Sequence, residues 1–141
     1  MKKLEFTIEI QAPKEKVWEA LWKDENYRNW TSVFQEGSYY ESDLLEGSEI
    51  QFLSPGGNGM FGMVEKVVPY EKMYFLHKGD VKEGEKQAEI YGDEAIERYD
   101  LTEKGNHTEL TATLNAPDEY LTYFADVFPK ALEKLKLLAE K

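Results

Sequence analysis

The sequence predicts an α+β fold in which a curved, seven-stranded antiparallel sheet wraps around one long C-terminal helix. Alternation of apolar and polar residues marks a first strand at residues 3–11 and returns in short runs between Gly37 and Ala116. An amphipathic helical pattern then fills the rest of the chain to residue 141. Hydrophobic residues make up 41% of the 141 residues, which is enough to form one packed core.

The first strand is followed by short helices. Leu4, Phe6, Ile8 and Ile10 alternate with polar residues, which is the pattern of a strand with one buried face. Pro13 ends this strand and suits the first turn of a helix, where its missing N–H is harmless. Apolar residues spaced three and four apart predict a helix over residues 14–23, and we expect the segment 24–30 to add one or two turns.

Turn residues divide the middle of the chain into six further strands. We predict them at residues 37–43, 48–54, 60–68, 72–79, 93–102 and 107–115. The stretch between Gly79 and Gly92 is highly charged and poor in apolar residues, so it is expected to form a long loop.

The C-terminal helix is expected to cover the inner face of the sheet. Pro117 and the acidic residues after it are typical of a first helical turn. An antiparallel sheet exposes one face to water and must cover the other, and this helix is the only predicted element long enough to cross it. The sheet is therefore expected to curl around the helix.

Length and charge narrow the possible functions. A chain of 141 residues predicts one domain over residues 1–141, because single domains most often have about 100–150 residues. A net charge of −11 opposes binding to nucleic acid or to an anionic membrane. The absence of cysteine removes thiol chemistry, and we predict a cytoplasmic protein with no membrane span. Two histidines on separate predicted strands give no metal site, and no cofactor is predicted.

Several motifs occur in an order and spacing that are more specific than any one of them. They are Ala12-Pro13, Val17-Trp18, Ala20-Leu21, Trp30, Gly47-Ser48-Glu49-Ile50-Gln51-Phe52, the run from Val64 through Pro69 to Phe75, and Asn106-His107-Thr108-Glu109-Leu110. Together they resemble the START-like helix-grip (SRPBCC) superfamily, and within it the branch similar to the C-terminal domain of the activator of the Hsp90 ATPase. The chain departs from that pattern at Ser48, where a second glycine is usual, and in its long charged loop.

The resemblance implies an apolar cavity between the long helix and the concave face of the sheet. It also implies that Trp30, Phe52 and Phe124 lie around the mouth and floor of this cavity. Proteins of the superfamily differ in function, so the resemblance alone does not decide between binding, catalysis and chaperone stimulation.

Two polar residues are predicted among the apolar side chains of the concave face. Strand alternation places His77 and Glu97 inward, where they could share a hydrogen bond, orient a ligand or act as an acid and base pair. Alternatively, His77 is solvated at a strand end and a bulge turns Glu97 outward, since one register slip reverses every side chain. The complete predicted cavity set is Trp30, Phe52, Phe75, His77, Glu97, Tyr99, Phe124 and Phe128.

Three functions remain open from the sequence. The leading hypothesis is a START-like domain that binds a largely apolar small molecule under the C-terminal helix. The alternative is an interaction domain that acts on an Hsp90-type chaperone through its surface; the extra N-terminal domain of a two-domain activator is not expected here. An enzyme that uses His77 and Glu97 is third, and the sequence does not predict the oligomeric state.

Overall fold

The structure is a computed structural model that describes residues 1–141. It has eight strands and three helices. The strands are β1 (Lys2–Ile10), β2 (Tyr39–Glu41), β3 (Glu49–Ser54), β4 (Asn58–Val68), β5 (Lys72–Lys82), β6 (Glu85–Glu89), β7 (Ile96–Lys104) and β8 (His107–Ala116). The helices are α1 (Lys14–Trp22), α2 (Asp24–Trp30) and α3 (Asp118–Ala139), with a 3₁₀ turn at Thr31–Val33.

The strands form one antiparallel sheet, which confirms the predicted fold class. Its order is β1-β8-β7-β5-β4-β3-β2, and β6 pairs with β5 outside this path. Most strands therefore pair with a neighbour in sequence. The exception is β1, which pairs with β8. The sheet is curved but remains open, with β1 and β2 as its two ends.

The prediction of a long loop between Gly79 and Gly92 is wrong. Strand β5 continues to Lys82, turns at Glu83-Gly84 and returns as β6. Both turn residues have positive φ, 51° for Glu83 and 82° for Gly84, as a two-residue hairpin of type I′ requires. All five residues of β6 are exposed, so backbone hydrogen bonds hold this strand without an apolar face.

The main core lies between the concave face of the sheet, α1, α2 and the C-terminal half of α3. The predicted alternation is confirmed on the central strands, since the inward residues Ile50, Met73, Leu110 and Ala112 are at most 1% exposed. The N-terminal helices are fixed to this core by Trp30, whose indole Nε1 donates to the Leu21 carbonyl oxygen at 3.1 Å.

Burial along α3 is uneven. Its buried side chains are Phe128, Ala131, Leu132, Leu135 and Ala139, all in the second half of the helix. The first half, residues 118–127, has exposed or partly exposed side chains only. Pro129 lies inside the helix without ending it.

None of the helices combines the length and the apolar character needed to cross a membrane.

Candidate functional site

A cavity of about 490 Å³ lies beneath the first half of α3. Its walls come from α2, α3 and six strands of the sheet. Eleven lining residues are phenylalanine, tryptophan or tyrosine: Tyr27, Trp30, Phe34, Tyr39, Phe52, Tyr91, Tyr99, Tyr120, Tyr123, Phe124 and Phe128. Such a wall offers apolar area and ring faces to a bound molecule.

Seven of the eight residues predicted for the cavity lie in its lining. They are Trp30, Phe52, His77, Glu97, Tyr99, Phe124 and Phe128. The eighth, Phe75, is 0% exposed and packs edge-on against Phe52, with ring centroids 5.1 Å apart. Phe75 therefore supports the wall from behind and does not line the cavity. Whether these residues bind a ligand stays a prediction.

His77 and Glu97 meet in the cavity. The His77 Nε2 and Glu97 Oε1 atoms are 2.8 Å apart, and the Tyr99 hydroxyl donates to Glu97 Oε2 at 2.5 Å. His77 is 8% exposed, and the Glu97 side chain is 24% exposed. The structure therefore contradicts the alternative in which His77 is solvated and Glu97 points outward.

The sheet register brings this pair together. Phe75 on β5 lies opposite Glu97 on β7, which makes His77 the diagonal neighbour of Glu97 on the same face. The His77 backbone N–H donates to the Ala95 carbonyl oxygen at 2.8 Å and continues this register. On the other side, His77 lies opposite Gly62, where a Cβ atom would collide with the Leu76 carbonyl oxygen. Gly62 thus permits the close approach of β4 to β5 that holds His77 in place.

Hydrogen bonds keep the Glu97 carboxylate ionised. Burial raises its pKa, but the hydrogen bond and charge of His77, with the hydrogen bond from Tyr99, outweigh burial and leave the pKa below its ordinary value. Burial and then the charge of Glu97 raise the pKa of the Tyr99 hydroxyl well above its ordinary value. Tyr99 is therefore a neutral donor to an anionic acceptor.

A second polar pair lies in the lining, and the sequence analysis missed it. The Tyr91 hydroxyl donates to Asp80 Oδ1 at 2.6 Å, and both residues line the cavity. Burial, followed by the hydrogen bond to Asp80, raises the pKa of Tyr91 to about 12. Both residues belong to the stretch that was predicted as a loop. The sequence carries no pattern that pairs them, because the pairing depends on the β5–β6 hairpin.

One polar atom of the site has no partner. His77 Nδ1 is buried and makes no hydrogen bond. A buried imidazole nitrogen without a partner is costly, and a bound molecule could satisfy it. The site can therefore hold an apolar body and fix its polar end, and its histidine and carboxylate could also move a proton.

No group of three or more histidine, cysteine, aspartate or glutamate side chains is placed to hold a metal ion.

Comparison with known proteins gives one family and a set of structural relatives. The family described as Activator of Hsp90 ATPase homolog 1-like protein matches residues 11–140. A search of curated protein sequences gives no significant match.

Solved structures share the fold at low sequence identity. The Aha1 dimer from Colwellia psychrerythraea is 22% identical with a TM-score of 0.74, covering 99% of this chain and 97% of that one. CalU16 from Micromonospora echinospora is 17% identical with a TM-score of 0.69, covering 99% of this chain and 76% of that one. DynU16, from the dynemicin biosynthetic locus, is 13% identical with a TM-score of 0.73 over 100% of this chain, which spans 48% of that protein.

Proposed function

The chain belongs to the Activator of Hsp90 ATPase homolog 1-like family and has the START-like fold, and from this premise we propose that it binds a largely apolar small molecule in the cavity under α3. In this proposal residues 1–141 form a single START-like domain. The observation that carries the proposal is the aromatic cavity of about 490 Å³ with its few polar groups.

The size of the cavity supports binding more than incomplete packing. Protein interiors are close-packed, and this cavity is a partly open concave surface beneath α3, not a void left in the core. Small-molecule sites typically occupy about 300–1,000 Å³ and combine apolar walls with a few polar groups. The cavity has this size and composition, and in the proposal His77 and Glu97 fix the orientation of the bound molecule.

Binding is expected to raise the melting temperature of the protein. A ligand that binds only the folded state at one hundred times its Kd adds about 2.7 kcal/mol, or several degrees for a domain of this size. A dye-free thermal scan against sterols, flavonoids and other polyketide-like aromatic compounds measures this shift. If no compound raises the melting temperature, the binding proposal fails.

Substitution of Phe124→Trp is expected to weaken the ligand response by filling part of the cavity. The larger ring takes space at the lining, and overpacking costs at most about 1–3 kcal/mol, so the variant should fold. Thr122→Trp is the matched control, because Thr122 is exposed on the same helix and is not in the lining. Equal ligand shifts for the two variants would show that Phe124 does not border the binding space.

The family match also favours a second candidate, an interaction domain that stimulates an Hsp90-type chaperone. The surface would carry this function, so the cavity-filling Phe124→Trp variant should act like the unaltered protein. ATPase rates of a purified Hsp90-type chaperone, measured with and without the protein, test this candidate. An unchanged rate and no binding in a pull-down would remove it.

A further inference from the structure

The cavity lining holds two carboxylates, Asp80 and Glu97, and no lysine or arginine. Met1 also belongs to the lining but is 46% exposed, so water screens its amino group. The formal net charge of the whole chain is −11, and its long-range field has the same sign as the cavity.

Two tyrosine hydroxyl groups of the lining already donate to its carboxylates. The Tyr99 hydroxyl donates to Glu97, and the Tyr91 hydroxyl donates to Asp80. Because an ionised carboxylate can only accept, His77 Nε2 must carry the proton shared with Glu97.

Three further hydroxyl groups of the lining donate to the backbone. The side chains of Thr31, Ser38 and Ser54 all donate to backbone carbonyl oxygens, at 2.5, 2.6 and 3.1 Å. Their hydrogens are therefore not available to a carboxylate or phosphate of a ligand.

Aromatic faces complete this electrostatic arrangement. The aromatic side chains of Trp30, Phe52 and Tyr99 belong to the same lining as Glu97. The π-electrons above a ring attract a cation, and the attraction increases where water is excluded.

We propose that the cavity selects an organic cation, a protonated amine on an aromatic or apolar body, and rejects carboxylates and phosphates of the same shape. This inference rests on the proposed small-molecule binding and names the class of ligand. The ammonium group donates to the Glu97 carboxylate, and the apolar body lies against the aromatic wall.

Three compounds of matched shape test the proposal at pH 7.5. They are 2-(1-naphthyl)ethylamine, 2-(1-naphthyl)ethanol and 1-naphthylacetic acid, with binding measured by isothermal titration calorimetry. We expect the amine to bind about tenfold more tightly than the alcohol, which corresponds to about 1.4 kcal/mol. We expect the acid to bind at least tenfold more weakly than the alcohol.

Variants locate the source of the selectivity. Glu97→Gln keeps the shape of the side chain but removes its charge, so it should reduce the affinity for the amine more than the affinity for the alcohol. Glu133→Gln is the matched control, since Glu133 is an exposed carboxylate on α3 outside the lining. Thermal melting of each variant verifies that it folds.

The outcomes separate this inference from the proposed function. If the acid or the alcohol binds as tightly as the amine to the unaltered protein, the charge selectivity is wrong and small-molecule binding stands. If none of the three compounds binds and the wider thermal scan is also negative, both proposals fail. If Glu133→Gln reduces amine binding as much as Glu97→Gln does, the preference comes from overall charge, and the assignment to the cavity is wrong.

Discussion

A chain that ends at Asp118 is expected not to fold, because it lacks almost all of α3. The truncation removes the buried side chains of Phe128, Leu132 and Leu135, which are at most 3% exposed. Each is worth roughly 1.5–3 kcal/mol, against a total stability of about 5–15 kcal/mol for a typical domain. It also exposes the concave face of the sheet to water. Far-UV circular dichroism and a thermal melt measure the result.

A point substitution tests the same packing in the full-length chain. Leu135→Asp places a charge at a position that is 0% exposed, so it should unfold the protein. Leu137→Asp is its control, since Leu137 is 64% exposed on the same helix and should tolerate the charge. A truncated chain that stays monomeric and melts cooperatively near the normal temperature would contradict the role of α3 as the centre of the fold.

Substitution of His77→Leu is expected to cost about 3 kcal/mol of unfolding free energy at pH 7. It leaves the Glu97 carboxylate in the cavity without its main partner, and breaking one side of a buried pair costs roughly 3–5 kcal/mol. We place the expected cost at the low end of this range because the Glu97 side chain is 24% exposed to solvent. His107→Leu is the control, since His107 and its partner Glu9 are 30% and 46% exposed.

The loss is expected to shrink as the pH falls. In the unaltered protein the pKa of Glu97 is lowered, so its stabilising contribution exists above the unfolded pKa and disappears as pH falls through the folded pKa. Without His77, burial is the largest remaining influence and raises the folded pKa of Glu97 above the unfolded value. The destabilisation is then relieved as pH falls through that raised pKa. Urea unfolding of the variant at pH 7 and pH 5 measures the difference.

The double variant His77→Leu/Glu97→Leu separates charge from packing. It removes the carboxylate together with its partner, so it should be more stable at pH 7 than His77→Leu alone. Two results would contradict an ion pair between these residues. One is a His77→Leu variant whose loss of stability is the same at pH 7 and pH 5. The other is a double variant that is less stable than His77→Leu.

Much of the fold follows from periodicity. The alternation of the central strands predicts which residues face inward, and it places His77 and Glu97 on one face. The pattern of α3 predicts the helix that covers them. The family resemblance, confirmed by the match to residues 11–140, agrees with this order of elements.

The hairpin between β5 and β6 could not be predicted in this way. Its residues are exposed, so no apolar pattern marks the strand. The usual two-residue turn signals are Asn-Gly and Asp-Gly, and Glu83-Gly84 lacks the short side chain that tolerates positive φ. The polar pair of Asp80 and Tyr91 was missed for the same reason, since it forms only when this hairpin does.

Alternation also predicts the face of a residue but not its depth. Phe75 and Phe52 both point to the concave side, yet only Phe52 reaches the cavity. The difference arises from the curvature of the sheet and the packing of Trp22 and Tyr99 around Phe75. Neither can be read from a single strand.

The uneven burial of α3 divides the helix into two parts with different local stability. Residues 118–127 contribute no buried side chain, and the Tyr123 hydroxyl holds this part to the Phe34 carbonyl oxygen at 2.9 Å. Segments with few buried contacts open at a lower free energy than the whole protein unfolds. The end of the helix above the cavity can therefore fray while its other half remains folded. In the proposed binding function, this local opening would widen the entrance of the cavity for a compound.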